Sequence, residues 1–163
     1  MKTPTGRLAA QLLIAASALL SMPVFAHGDV TPQAVDTTTL KPLGEGWREE
    51  NPYGGDKEAI RIGSSAYGQN CARCHGLEAV SGGIAPDLRK LDRDCVIQKD
   101  EAKKQACYKE NDAYYLTSVR HGKTRNGAVY MPPFEGIINQ EGMWSIKAYL
   151  ETLRVMPTVA AAR

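Results

Sequence analysis

Cys71-Ala72-Arg73-Cys74-His75 sets two thiols two residues apart, with an imidazole directly after the second. At the C-terminal end of a helix, this spacing lets both sulfurs reach two vinyl groups on one porphyrin edge and swings the imidazole beneath the iron. The chemistry expected is covalent attachment of one haem c, with Cys71 and Cys74 as thioethers and His75 as an axial iron ligand. Two other chemistries use paired cysteines. A thiol redox pair wants a βαβ setting, and the chain has no such alternation of signals. A four-ligand zinc site wants a second close pair, whereas Cys95 and Cys107 stand twelve residues apart.

The iron needs a second axial partner, and the chain offers few. Past residue 26 the methionines are Met131, Met143 and Met156, and the other histidines are His27 and His121. Met131 precedes Pro132 and Pro133, which push it into extended backbone and stiffen the loop after it. A thioether held there has little freedom left to lose, so Met131 is the first candidate. Met143 falls at helical spacing with Trp144 and reads as core; it and His121 stay as alternatives. His/Met ligation raises the reduction potential relative to two histidines and leaves no open position, which suits electron transfer. With Met131 off the iron, the alternative is a small c-type haem peroxidase or a gas-binding haem protein.

His75 also needs its other ring nitrogen held. The carbonyl of Pro86, in the glycine-rich run Ser81 to Asp87, is the candidate acceptor, unless Pro86 merely turns the chain. Four cysteines allow three pairings, but haem takes two, so one disulfide remains, Cys95 to Cys107. Export favours the bridge over two reduced thiols. Its loop is worth about 3 kcal/mol on the chain-entropy model, and it pins a polar insertion, Asp92 to Glu110, that has too few apolar residues to pack alone.

The elements that position these groups read as helices. Asp56 caps a helix from Lys57 to about Asn70 that leads into the cysteines. A second is expected from Asn111 or Asp112 to Gly122, and a third from Gln140 to about Arg154, with Met143, Trp144, Ile146, Tyr149 and Leu150 on it. No strand pattern stands out, and the fold class expected is all-α. Residues 27–56, rich in Pro, Gly and Thr, read as an irregular arm, either draped on the domain by Trp47 and Tyr53 or left as a tail. Lys2 and Arg7, the apolar run Leu8 to Leu20 and Ser21 to Ala26 read as a signal peptide cleaved after Ala26. The division is therefore 1–26 leader, 27–56 arm, 57–154 haem domain and 155–163 tail. The apolar run is short for a membrane span, and no later stretch qualifies, so no stable membrane insertion follows cleavage.

The 20 basic and 18 acidic residues become equal in number once Lys2 and Arg7 leave with the leader. That balance gives no support for binding nucleic acid. Arg73, Arg120, Lys123 and Arg125 remain as candidate cations near the haem edge.

On these residues the chain resembles the class I c-type cytochromes. Gly63-x-x-x-Tyr67-x-x-x-Cys71-x-x-Cys74-His75, Met131 in a proline-bearing loop, and Ile146-Lys147-Ala148-Tyr149-Leu150 all resemble that family's motifs, over about residues 57–154. The resemblance implies a small helical domain around one haem, with the two end helices crossing where Gly63 meets Tyr149. Asn70 to Glu78, Gly83 to Arg89, Asn126 to Gly136 and the start His27-Gly28-Asp29 are similar to the cytochrome c-550 group that serves PQQ-dependent (quinoprotein) ethanol dehydrogenases. That likeness implies a periplasmic electron carrier rather than an enzyme. Its donor would be a PQQ-dependent alcohol dehydrogenase, and its acceptor a terminal oxidase or another cytochrome.

Overall fold

The structure, a computed structural model, describes residues 31–81, 83 and 85–156. The cleavage point after Ala26, the arm's start at His27 and most of the 155–163 tail lie outside the described residues. Helix α1 spans Lys57–Asn70. It starts at Asp56 because that carboxylate accepts the backbone N–H groups of Glu58 and Ala59, each at 2.9 Å. One face of α1 carries Ala59, Ile62, Gly63, Ala66 and Tyr67 into the core, spaced as a buried helical stripe must be. The chain then continues through one more turn, α2, Ala72–His75.

A 3-10 turn over Leu88–Lys90 and the short helix α3, Arg93–Val96, precede the long helix α4, Glu101–His121. Helix α4 starts ten residues earlier than the sequence suggests. Its first half carries no apolar stripe to betray it. Asp100 caps it by accepting Lys103 N–H at 2.9 Å, and Ala, Lys and Gln in its early turns favour helix intrinsically. Cys95 of α3 is bonded to Cys107 of α4, so the polar insertion is a helix pair joined by a disulfide.

Two strands follow, β1 over Lys123–Arg125 and β2 over Ala128–Met131, paired antiparallel. They add a small ribbon to an otherwise helical chain. Asn126 and Gly127 turn the hairpin with φ of 51° and 78°, the conformation that Asn-Gly adopts most readily. Met131 thus ends a strand, opposite Lys123, instead of lying in a free loop.

The last helix, α5, spans Gln140–Thr152 and is capped by Asn139, whose side-chain oxygen accepts Gly142 N–H at 2.9 Å. It stops two residues short of Arg154, whose guanidinium instead reaches Asp92 at 2.6 Å. Helices α1 and α5 cross closely. A Cβ at Gly63 would be driven into the carbonyl of Ser145 and the Ile146 nitrogen. The resemblance named Tyr149 as the partner of Gly63. The closest approach to Gly63 is the Ser145 backbone, and the ring of Tyr149, one turn along, packs 5.5 Å from that of Tyr67.

The arm is packed on this crossing. Leu40, Leu43 and Tyr53 are buried, Leu43 N–H donates to Glu141 at 2.8 Å and Gln140 donates to the Gly44 carbonyl at 2.7 Å. Beneath it, Lys147 is fully buried, with its ammonium 2.9 Å from Asp112, 3.0 Å from Glu151 and 3.1 Å from Asp92. Burial pulls its pKa down, but the three carboxylates outweigh that and hold it above the ordinary value. Asn51 N–H donates to Asp112 at 2.8 Å, so the arm shares in the same cluster. Among the described residues no helix is long and apolar enough to cross a membrane.

Candidate haem site

The cysteine motif sits where α1 hands over to α2. Cys71 N–H closes the last turn of α1 on the Tyr67 carbonyl at 2.8 Å, and His75 N–H then returns to the Cys71 carbonyl at 3.0 Å. The tight turn brings both sulfurs and the imidazole to the wall of one cavity. Tyr67 secures the exit by donating its hydroxyl to the Gly76 carbonyl at 2.7 Å.

That cavity has a volume of about 450 Å³, within the roughly 300–1,000 Å³ that suits a cofactor-sized guest. Cys71, Cys74 and His75 line it together with Pro86 and Met131, and Leu88, Leu91, Val119, Ile146 and Leu150 make much of the rest apolar. Met143 is fully buried among core residues and does not line it, while His121 is exposed and lies 3.5 Å from Glu135. Of the candidate sixth ligands among the described residues, Met131 alone shares the cavity with His75.

His75 is oriented by its neighbour. Its Nδ1 lies 2.9 Å from the Pro86 carbonyl oxygen. A carbonyl can only accept, so Nδ1 carries the proton and Nε2 keeps its lone pair. Burial holds the imidazole below its usual pKa, against the pull of that carbonyl, which favours the neutral form a metal requires. Pro86 is held in turn. Asp87 accepts from Nε and Nη2 of Arg89, each at 2.9 Å, and Leu88 N–H donates to the Ala79 carbonyl at 3.1 Å.

The other uses of paired cysteines fit poorly. Burial, then the nearby Cys74, pushes the Cys71 thiol up to about 12, whereas a redox dithiol needs a low-pKa attacking thiolate. Zinc would need further ligands, but Cys95 and Cys107 are bonded to each other. Apolar walls, two thiols, a neutral imidazole and a thioether suit a covalent porphyrin with iron.

The cations sort unevenly. Lys123 borders the cavity, with its ammonium 4.6 Å over the Tyr114 ring. Arg73 and Arg125 are exposed and do not line it. Arg120 turns away, stacking 4.1 Å over Trp47 and pairing with Glu135 at 2.7 Å. Lys90, Tyr114 and Tyr130 line the cavity without having been picked out from the sequence. Tyr115, read from the sequence only as one of the residues on the helix that ends at Gly122, lines it too; nothing local distinguishes Lys90.

Comparison with known proteins agrees with this geometry. Residues 58–150 match the family described as cytochrome C oxidase, cbb3-type, subunit III. The chain is similar to a cytochrome c550 of Pseudomonas aeruginosa, 50% identical over 148 residues, which covers 88% of this chain and 92% of the relative. It is also similar to the quinohemoprotein alcohol dehydrogenase ADH-IIG of Pseudomonas putida, 53% identical over 36 residues, covering 22% of this chain and 5% of that protein. A third similarity is to the cbb3-type cytochrome c oxidase subunit FixP of Sinorhizobium medicae, 32% identical over 61% of this chain and 32% of that subunit. No solved structure matches the chain.

Proposed function

We propose, for a chain that belongs to the class I c-type cytochromes and carries electrons on a covalent haem c, a periplasmic role between a PQQ-dependent alcohol dehydrogenase and a terminal oxidase or a further cytochrome. When bound, haem c supplies a one-electron iron couple. Cys71 and Cys74 would hold the porphyrin by thioethers, and Nε2 of His75 and the sulfur of Met131 would ligate its iron. The Pro86 carbonyl keeps the imidazole in the right tautomer. The observation that carries the reading is an apolar cavity whose wall joins Cys71, Cys74, His75 and Met131.

Two protein ligands on the iron would keep small molecules off it and limit rearrangement as its charge changes. The packed crossing of α1 and α5 serves the same end, because a rigid frame reorganises little. The donor is argued from the local similarity to a quinohemoprotein alcohol dehydrogenase, and the acceptor from the similarity to an oxidase subunit. Export rests on the leader-like residues 1–26, with the arm over 27–56, the haem domain over 57–154 and the tail over 155–163.

The test is direct electron delivery. A reduced PQQ-dependent alcohol dehydrogenase is mixed rapidly with the oxidised holoprotein, and haem absorbance is followed in time. Reduction should be much faster than with an unrelated cytochrome of similar potential. Equal rates would remove the proposed donor while leaving the electron-carrier assignment in place.

A further inference from the structure

We infer that Trp47, in the N-terminal arm, is a positioning residue for Met131, acting through Arg120 and Glu135. The inference rests on the reading of Met131 as the sixth ligand. It starts from how the segment Met131 to Glu135 is held at its two ends. At the first end Met131 pairs with Lys123, next to an irregularity in the register between Lys123 and Thr124. Gly122 leaves just enough room there, since a Cβ would strike the Met131 carbonyl and the prolines after it. A two-stranded ribbon with exposed Val129 and Tyr130 is weak support in water.

The second end is anchored far better. Phe134 is buried and donates its N–H to the Val119 carbonyl at 3.0 Å, and Glu135 donates to the Arg120 carbonyl at 3.3 Å. These are carbonyls of the last turn of α4, which have no partner inside the helix. The Glu135 carboxylate then takes the Arg120 guanidinium at 2.7 Å. Only Pro132 and Pro133 separate this anchor from Met131. Proline fixes φ, so a shift at Phe134 and Glu135 passes to the thioether with little slack.

Trp47 sets the guanidinium that makes the clamp. Its ring lies 4.1 Å beneath Arg120, and Arg120 Nε is buried without a hydrogen-bond partner among the described residues. The position of the guanidinium therefore depends on Glu135 at its tip and Trp47 on its face. Trp47 is itself fixed by its chain neighbours, as Arg48 N–H donates to Gln140 at 3.2 Å and the Gly46 carbonyl accepts from Gln140 at 3.1 Å. The arm is thus tied to the thioether's backbone through one stacked cation.

The experiment titrates the oxidised holoprotein with imidazole, which competes for the sixth position, and reads the loss of the sulfur-to-iron charge-transfer band. Trp47→Ala and Glu135→Gln should each bind imidazole roughly tenfold more tightly, the effect of losing a cation–π contact or its anchoring ion pair. Trp47→Phe, which keeps a ring under Arg120, should behave like the unaltered protein. Tyr53→Phe loosens the arm elsewhere, by removing the hydroxyl's bond to the Lys41 carbonyl, and should leave imidazole binding unchanged. Should Trp47→Ala not yield holoprotein, Glu135→Gln decides alone. Unaltered imidazole affinity in Trp47→Ala or in Glu135→Gln, or an equal gain in Tyr53→Phe, overturns the inference while Met131 remains the ligand. If Met131→Ala keeps the charge-transfer band, the ligand reading fails and the inference falls with it.

Discussion

His75 Nδ1 donates to the Pro86 carbonyl across 2.9 Å, and Asp87, the next residue, is locked onto Arg89 by paired hydrogen bonds. The hold on the imidazole is therefore only as firm as one short acidic turn. The Arg89 guanidinium draws the Asp87 carboxyl down to about 2, well below its ordinary 3.8.

A depressed carboxylate binds fewer protons folded than unfolded, so it stabilises above its unfolded pKa and stops doing so as pH falls through its folded one. Comparing the holoprotein with Asp87→Asn in urea, the unaltered protein should be the more stable near neutrality. The gap should close between about pH 4 and about pH 2. A gap that persists at pH 2 would show that the carboxylate's charge is not what matters.

Gly63 and Gly68 lie on the same helix and should respond in opposite senses. At Gly63 a methyl has to displace the Ser145 backbone, so Gly63→Ala should cost about 1–3 kcal/mol by overpacking. At Gly68 nothing lies within 4 Å of the new methyl, and Gly68→Ala should add about 0.5–1 kcal/mol through helix propensity. Denaturant unfolding of the two holoproteins decides; the same sign in both would mean that α1 and α5 do not cross at Gly63.

Lys147 holds three carboxylates together in the interior. Lys147→Met leaves Asp112 and Glu151 without its ammonium while Arg154 stays on Asp92, and the expected loss is about 3–5 kcal/mol. Lowering the pH should recover part of that loss, as protonation discharges Asp112, whose carboxyl burial already holds above its ordinary pKa. A cost under about 1 kcal/mol, as for an exposed ion pair, would mean that the cluster is open to water.

The Cys95–Cys107 bridge should stabilise without touching the haem site, since neither residue lines the cavity. Replacing both by alanine should cost about 3 kcal/mol, mostly by freeing the unfolded chain. The visible spectrum should stay as it was. A changed spectrum would show that the bridge acts on the haem wall through the later turns of α4, which line the cavity at Tyr114, Tyr115, Ser118 and Val119.

What the amino-acid sequence determined by itself is local. The cysteine spacing, the Asp56 cap and the start of α5 at Gln140 all depend on residues within one helical turn of each other, where side-chain chemistry dictates geometry. The hairpin had a local signal too, Asn126-Gly127, but its strands are too short and exposed to show an alternating pattern. Other features were settled only when distant segments met. Nothing local marks Lys147 as buried until Asp92 and Asp112 arrive around it, and Arg120 reads as a haem-edge cation until Trp47 and Glu135 claim it. Burying a charge is favourable only with its partners in place, and those partners come from other parts of the chain. The tertiary structure decided them for that reason.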